Sequence, residues 1–451
     1  MDRYDVVVVG AGTGGCMAAK TLASAGLSVC LVERKPTRSV GDKVCGDAIG
    51  KHHFDDLGLA YPKGAELEFE ISGTKVYSPD LKTVFKIVGE GYIVNRYLFG
   101  QRLLKDAVGA GAVLLDSTQV LEPIIEKGFV RGVAARNLET GVTTELRCKA
   151  TVEASGLSAV VRSKLPPEFG IETKVAKEDL EICYREIREL KRGMNEPELC
   201  DIYLSMKASP GGYYWIFPKS GTKVNVGLGV AGVEGFPNPK NQLYEHVLSK
   251  PLFEDSTVIH GGGGTVPTRR PLGSLVGNGI VFIGDAACQV NPIHGGGIGP
   301  SMHGGKIAGE VIAEALEKGE PSRESLWPVN LRYMKTYGAK QASLDVFRLF
   351  LQGISDEDLN YGMGYKLISE EDILKTSLYG DIHLNVPDAT RRVFRGLGRL
   401  SFLRKLYSMA KMTKRAKALY VAYPDSPQQM PAWNAKVQAL YAEAKDILVS
   451  S

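Results

Sequence analysis

Residues 5 to 35, DVVVVGAGTGGCMAAKTLASAGLSVCLVERK, leave the amino-terminal part of this chain little choice of fold. Val6 to Val9 are apolar at every position, which reads as a strand covered on both faces rather than one with a wet side. Gly10-x-Gly12-x-x-Gly15, with Gly14 inside it, makes a turn. Cys16 to Ala25 reads as a helix, and Val29 to Val32 as a second strand ending in Glu33 and Arg34. Backbone N–H groups at such a helix start suit a pyrophosphate, because the helix dipole favours negative charge there. Glu33, eighteen residues after Gly15, is placed to accept from a ribose hydroxyl. Strand, glycine turn, helix, strand and acid in that order predict a dinucleotide-binding βαβ unit. The glycines alone would mark only an ordinary βαβ turn.

A second glycine cluster, GDAACQVNPIHGGGIGPSMHGG, runs from Gly284 to Gly305 behind the apolar run Ile280 to Ile283. It sets one carboxylate, Asp285, at the end of a strand and follows it with residues that let backbone approach a ligand closely. At 451 residues, two or three domains are expected. The formal charge of +4 is too small to argue for nucleic acid. The seven cysteines contain no Cys-x-x-Cys pair, which speaks against an iron–sulfur or zinc site and fits a reducing, cytoplasmic setting. The histidines show no ligand spacing, so no metal is assigned. The first strand starts almost at once, leaving no room for a targeting peptide, and no run of eighteen apolar residues predicts a membrane span.

At three places the chain resembles FAD proteins of the p-hydroxybenzoate hydroxylase-like group. They are the amino-terminal loop, Ser155-Gly156-Leu-Ser158-Ala-Val-Val-Arg162, and Gly284-Asp285-Ala-Ala287 with Pro292 and the turn at Gly295, Gly296, Gly297, Ile298 and Gly299. The resemblance implies FAD, with Asp285 accepting from ribityl hydroxyls and the turn at the pyrimidine edge of the flavin. It also implies Arg96, after the strand Tyr92 to Val94, near the cofactor, the alternative being a solvent arginine at a helix start. Val120 falls on the strand whose backbone reaches the adenine. Ser155 stands where the group usually has aspartate, and Cys288 where hydroxylases often have histidine.

Two further segments are more specific. GDKVCGDAIGKHHFDDLGL, from Gly41 to Leu59, gathers Lys43, Cys45, Gly46 and Asp47 on a loop leading into a helix. In Gly211-Gly-Tyr213-Tyr-Trp215-Ile-Phe217-Pro218 the aromatics alternate, so on a strand Tyr213, Trp215 and Phe217 share a face. Together these segments resemble the geranylgeranyl reductase family, above all its archaeal members acting on digeranylgeranylglycerophospholipids. The resemblance implies saturation of isolated prenyl double bonds, with hydride from N5 of reduced FAD and a proton for the second carbon. Tyr213, Trp215, Phe217, Pro218 and His294 would meet the prenyl chain, with Cys45 either a catalytic or flavin-gating thiol or a small packing residue. His52 and His53 read as a polar helix face. With no second nicotinamide fold and no iron–sulfur set, the electrons come from an external donor, NAD(P)H or a ferredoxin. The rival reading is an FAD-dependent monooxygenase on an apolar or aromatic substrate.

The expected architecture is an α/β FAD-binding Rossmann-like domain, discontinuous over 1–65, 92–165 and 270–335. An antiparallel β-sheet substrate domain takes 66–91 and 166–269, and a helical C-terminal region takes 336–451. Residues 391–420 carry ten lysines or arginines and no acid. They suit peripheral contact with a membrane face, or a solvated helical cap over the substrate tunnel.

Overall fold

The computed structural model describes residues 2–367, 369–380 and 399–449. Two eight-stranded sheets organise the molecule. The first holds β1 (Asp2–Val9), β2 (Val29–Val32), β6 (Val113–Leu115), β7 (Thr118–Glu126), β8 (Phe129–Asn137), β9 (Thr143–Glu153), β15 (Val276–Gly277) and β16 (Ile280–Phe282). Its path is β15-β16-β9-β1-β2-β6, with β8 on β9 and β7 on β8. β1 runs parallel to both β2 and β9, and Val6, Val7 and Val8 are fully buried. The continuous valine run is therefore the centre of a sheet covered on both sides.

The second sheet runs β14-β10-β13-β12-β11-β4-β5-β3. Its strands are β3 (Ala48–Gly50), β4 (Leu67–Tyr77), β5 (Val84–Val94), β10 (Glu181–Glu189), β11 (Leu199–Tyr203), β12 (Tyr214–Pro218), β13 (Lys223–Ala231) and β14 (Thr257–Val266). Two expectations are corrected here. The sheet is mixed, because β11 pairs parallel with β4. Strands that meet across more than a hundred residues of sequence have no hairpin to set their direction. The boundary at residue 65 also falls too late, since β3 lies within 1–65 yet pairs with β5 in the second sheet. The carboxyl-terminal region is helical as expected, and it packs into the core of the first sheet. Helices already occupy Arg323–Leu326 and Pro328–Tyr333, and Phe350, Met409 and Tyr420 belong to the same core cluster as Val7 and Phe282.

The helix Leu400–Val421 buries Phe402, Leu406, Met409, Thr413 and Tyr420 and turns Arg404, Tyr407, Lys411 and Lys414 outward. Its inner face is thus a cap on the core. Of the basic segment 391–420, residues 391–398 lie outside the described residues. Among the described residues no helix is long and apolar enough to cross a membrane.

Candidate active site

The first glycine loop delivers the chain from β1 into the helix Thr13–Ser24, whose N-cap Gly12 offers no side-chain cap. Its first backbone N–H groups are therefore free for a ligand. Gly10 has φ +102°, and a Cβ there would lie 2.5 Å from the Ala154 carbonyl oxygen. In front of Gly12 a Cβ would meet no protein atom within 4 Å. Glu33 closes the loop from the end of β2: its carboxylate accepts from the N–H groups of Ala11 at 2.8 Å and Lys35 at 2.9 Å. Each oxygen keeps acceptor capacity for a ribose hydroxyl. Arg34 is exposed beside it, and Val120 is buried on β7, which starts with the Thr118 N–H donating to the Glu33 carbonyl.

The second glycine cluster meets the first through one serine. Ser301 lies in the helix Ile298–Lys318, and its hydroxyl is 2.9 Å from that of Thr13. A Cβ on Gly14 would lie 2.8 Å from the Ser301 carbonyl oxygen. This helix also starts on a glycine, Gly297, with no side-chain cap. Two uncapped helix starts thus serve one cleft, with Asp285 between them. Carboxylate oxygens of Asp285 come within 3.5 Å of the Cβ direction of Gly297 and 3.9 Å of that of Gly156. Lys43 reaches Asp285 from the Gly41–Gly50 loop at 3.3 Å. All three motifs of the first resemblance therefore converge.

Sequence reasoning missed what organises the middle one. Glu153, fully buried at the end of β9, accepts from the N–H groups of Val161 and Arg162 at 2.7 and 2.6 Å and from the Ser155 hydroxyl at 2.8 Å. Burial pushes its carboxyl up, and these donors pull it back. The available signal was an acid at a strand end just ahead of the loop.

These residues fit FAD. Among the described residues, Arg96 Nε and Nη1 are buried without a hydrogen-bond partner, at the start of the helix Arg96–Gly109. An orphaned guanidinium close to Cys16, in the first turn of the helix Thr13–Ser24, suits a diphosphate at that uncapped helix start.

The second sheet stands over this cleft. Tyr213, Trp215 and Phe217 form a wall with ring centroids 5.9 and 6.2 Å apart. With Ile93, Cys200, Cys183, Ile71 and Phe69 they form an apolar cluster distinct from the main core. Pro218 does not belong to it, because strand alternation puts it on the face of Tyr214 and Ile216. The Tyr213 hydroxyl donates to the His294 carbonyl at 2.8 Å, joining the wall to the glycine turn. Tyr213 and His294 both keep accessible surface while protein surrounds them, as side chains lining a cleft do. The His294 ring accepts from the Gly296 N–H at 3.2 Å, and this enclosure depresses its basicity to about 4.

The Cys45 loop is laid against the wall. A Cβ on Gly46 would sit 3.3 Å from the Phe217 ring. Asn225, unremarked in the sequence, accepts from Trp215 Nε1 at 3.0 Å and donates to the Cys45 carbonyl at 2.8 Å and to Asp47 at 3.0 Å. Lys219 donates to Asp47 at 2.7 Å and also pairs with Glu68. The Asp47 carboxylate thus anchors the loop through Oδ2, while Oδ1 is buried without a hydrogen-bond partner among the described residues. Cys45 is half-buried, next to Tyr213. Cys288 is fully buried and its thiol is pushed up to about 11 by burial, so it is inert. Among the described residues no His, Cys, Asp or Glu group is arranged to hold a metal.

His52 is exposed, but His53 is not merely part of a polar helix face. The His53 ring occupies the space a Cβ on Gly299 would need, with its Nδ1 3.2 Å from the Tyr337 hydroxyl. His303 packs 5.8 Å from it between ring centroids. Burial depresses His53 to about 2 and His303 to about 4. Below pH 6.5 the unfolded chain therefore binds protons that the folded one refuses, and stability falls as pH drops toward 4. On the order of 1–2 kcal/mol per histidine is expected to be lost by pH 5. Chemical denaturation at pH 7 and pH 5 measures the loss, and His53→Gln is expected to remove part of it.

Sequence comparisons agree with this geometry. The FAD binding domain family matches residues 3–183, and the geranylgeranyl reductase catalytic domain family matches residues 179–266. A digeranylgeranylglycerophospholipid reductase of Sulfolobus acidocaldarius is 45% identical over 98% of both chains. One of Methanothrix thermoacetophila is 35% identical over 84% of this chain and 94% of its own. Among solved structures, a geranylgeranyl bacteriochlorophyll reductase-like protein of Thermoplasma acidophilum superposes with TM-score 0.76 at 24% identity, over 91% of this chain and all of that one. The myxobacterial FAD-dependent halogenase CndH superposes with TM-score 0.66 at 19% identity, over 93% and 97%. These two carry the fold alone.

Proposed function

Because the chain belongs to the geranylgeranyl reductase family, with the digeranylgeranylglycerophospholipid reductases, we propose that its cleft holds FAD beneath a prenyl chain lying along the aromatic wall. The protein is an FAD-dependent oxidoreductase that saturates carbon–carbon double bonds of geranylgeranyl chains in archaeal membrane lipid synthesis. Reduced FAD, when bound, supplies a hydride equivalent to an alkene. Arg96 and the two uncapped helix starts hold its diphosphate and its pyrimidine edge, Glu33 the adenosine ribose, and Asp285 the ribityl chain. The start of the helix Ile298–Lys318 favours negative charge at that edge.

An isolated alkene has no carbonyl through which an oxyanion site could act, so the wall works by position and by excluding water. Burying a twenty-carbon chain gains on the order of 10 kcal/mol gross. This favours loose reading of the head group, with Cys45 packed against the chain beside the flavin. The observation that carries this reading is the Tyr213–His294 hydrogen bond, which seats the apolar wall on the glycine turn.

Product mass tests it against the monooxygenase alternative. With chemically reduced enzyme, geranylgeranyl lipid is expected to gain two hydrogens per double bond, and a gain of oxygen would select the other reading. The electrons come from an external donor, NAD(P)H or a ferredoxin, which anaerobic flavin bleaching distinguishes. The outward face of the helix Leu400–Val421, with Arg404, Lys411 and Lys414 around Tyr407, is proposed to rest on an anionic cytoplasmic membrane face. Flotation with anionic liposomes at low salt is expected to carry the protein upward, and its absence refutes the contact.

A further inference from the structure

Saturating an alkene needs a proton as well as a hydride, and the carboxylate so far described against the wall, Asp47, is paired with Lys219. Glu181, the first residue of β10, also lies beside the wall. It pairs with Ala231 of β13, two residues from the Cys183–Gly229 pair, and the Gly229 N–H donates to the Tyr213 carbonyl at 3.0 Å. Strand alternation puts Glu181 and Cys183 on the face that carries Tyr213 and Trp215. Two glycines make room for its carboxyl: a Cβ on Gly212 would lie 2.0 Å from Glu181 Oε1, and one on Gly229 2.7 Å from it. Glu181 is 9% exposed, and Oε1 has no hydrogen-bond partner among the described residues. A buried carboxyl oxygen with no donor, on a group with no ion-pair partner among the described residues, favours the neutral acid, since a carboxylate there would be left without compensation.

The groups around it agree. Arg348, on the helix Ala339–Gln352, is the cation that faces Glu181, but its guanidinium is committed to Asp345 at 2.7 Å and Asp179 at 2.8 Å. Cys183 on the same strand, Tyr213 and Cys45 are the other titratable groups beside it, and a further cation on this face, Arg185, lies beyond Cys183 against Trp215 with its guanidinium 2.8 Å from His260 Nδ1. Burial therefore wins over Arg348 and pushes the Glu181 carboxyl up to about 8. An acid held neutral at neutral pH by an apolar site is suited to donating a proton.

We propose that Glu181 is the proton donor of the reaction, resting on the prenyl-reductase reading above. One alkene carbon takes the hydride that reduced FAD supplies. The electron pair of the broken π bond takes the Glu181 proton at the other carbon, so two C–H bonds form. Glu181 is left as a carboxylate, reprotonated from water before the next turnover.

The test uses FAD-loaded enzyme, chemically reduced and mixed with geranylgeranyl lipid in single turnovers. Glu181→Gln keeps the side chain's size and removes its acid. It is expected to bind FAD and accept electrons as wild type does, yet saturate the lipid at least about 100-fold more slowly. The wild-type rate is expected to fall tenfold per unit as pH rises through about 8, while the residual rate of Glu181→Gln stays level there. Glu181→Asp is expected to recover part of the rate. Infrared titration of substrate-free holoenzyme gives a readout independent of turnover: a protonated-carboxyl band at pH 7 that is missing in Glu181→Gln. A variant within threefold of wild type with the same pH profile, or an unchanged infrared band, overturns the assignment. Wild-type enzyme that leaves the lipid unsaturated would instead overturn the functional reading itself.

Discussion

Gly15→Ala is expected to yield a colourless protein. The Cβ it adds would lie 1.9 Å from the Gly10 carbonyl oxygen and 3.2 Å from the Ala154 side chain. The first contact is to backbone, so no side-chain rotation relieves it. Either the helix Thr13–Ser24 moves away from β1 or the turn at Gly10 opens, and both displace the N–H groups that would hold the diphosphate. A fall in FAD affinity of at least about 100-fold, roughly 3 kcal/mol, is the expected result. Flavin absorbance after gel filtration, followed by titration of the apoprotein with FAD, measures it. Gly12→Ala separates cause from consequence, because its Cβ has no protein atom within 4 Å. That variant is expected to leave the apoprotein's thermal stability unchanged while still weakening FAD.

Lys219→Met is expected to have the largest effect on stability. Lys219 is 7% exposed and neutralises Asp47, itself 2% exposed, and the half-buried Glu68. Removing the cation leaves both carboxylates facing each other in a poorly solvated place, which costs about 3–5 kcal/mol when one partner of a buried ion pair is lost. The damage has a direction. Asp47 sits at φ +65°, a conformation that non-glycine residues adopt at a cost, and the Lys219 and Asn225 contacts hold it there. Once freed, the Cys45–Asp47 loop is expected to leave the wall, so catalytic turnover falls along with stability. Urea unfolding measures the first effect. Adding Asp47→Asn and Glu68→Gln to Lys219→Met is expected to restore part of the stability, because the stranded charges are then gone.

What could be read in the sequence was the chemistry carried within one segment. The βαβ unit was legible because its strand, glycines, helix and acid are consecutive. Asp285 was legible as a carboxylate at a strand end ahead of glycines, and Tyr213, Trp215 and Phe217 because alternation alone puts them on one face. Contacts between remote segments left no such trace. Lys219 meets Asp47 across 172 residues. His53 fills a space left by Gly299, which turns an apparently solvated histidine into a packed one. The parallel pairing of β11 with β4 likewise joins segments that nothing local directs together. Glu153 and Glu181 were hidden for another reason: acids at strand ends are common, and only burial distinguishes these two.

The central claim is that the two glycine clusters and the aromatic wall form one chamber in which electrons pass from flavin to an isolated alkene. Anaerobic single turnover counts that transfer directly. Fully reduced holoenzyme, free of excess reductant, is mixed with digeranylgeranylglycerophospholipid, and flavin absorbance is followed while product is weighed by mass spectrometry. The account predicts one double bond saturated for each flavin reoxidised. Flavin that stays reduced with the lipid bound, or reoxidises without adding hydrogen to it, would contradict the account.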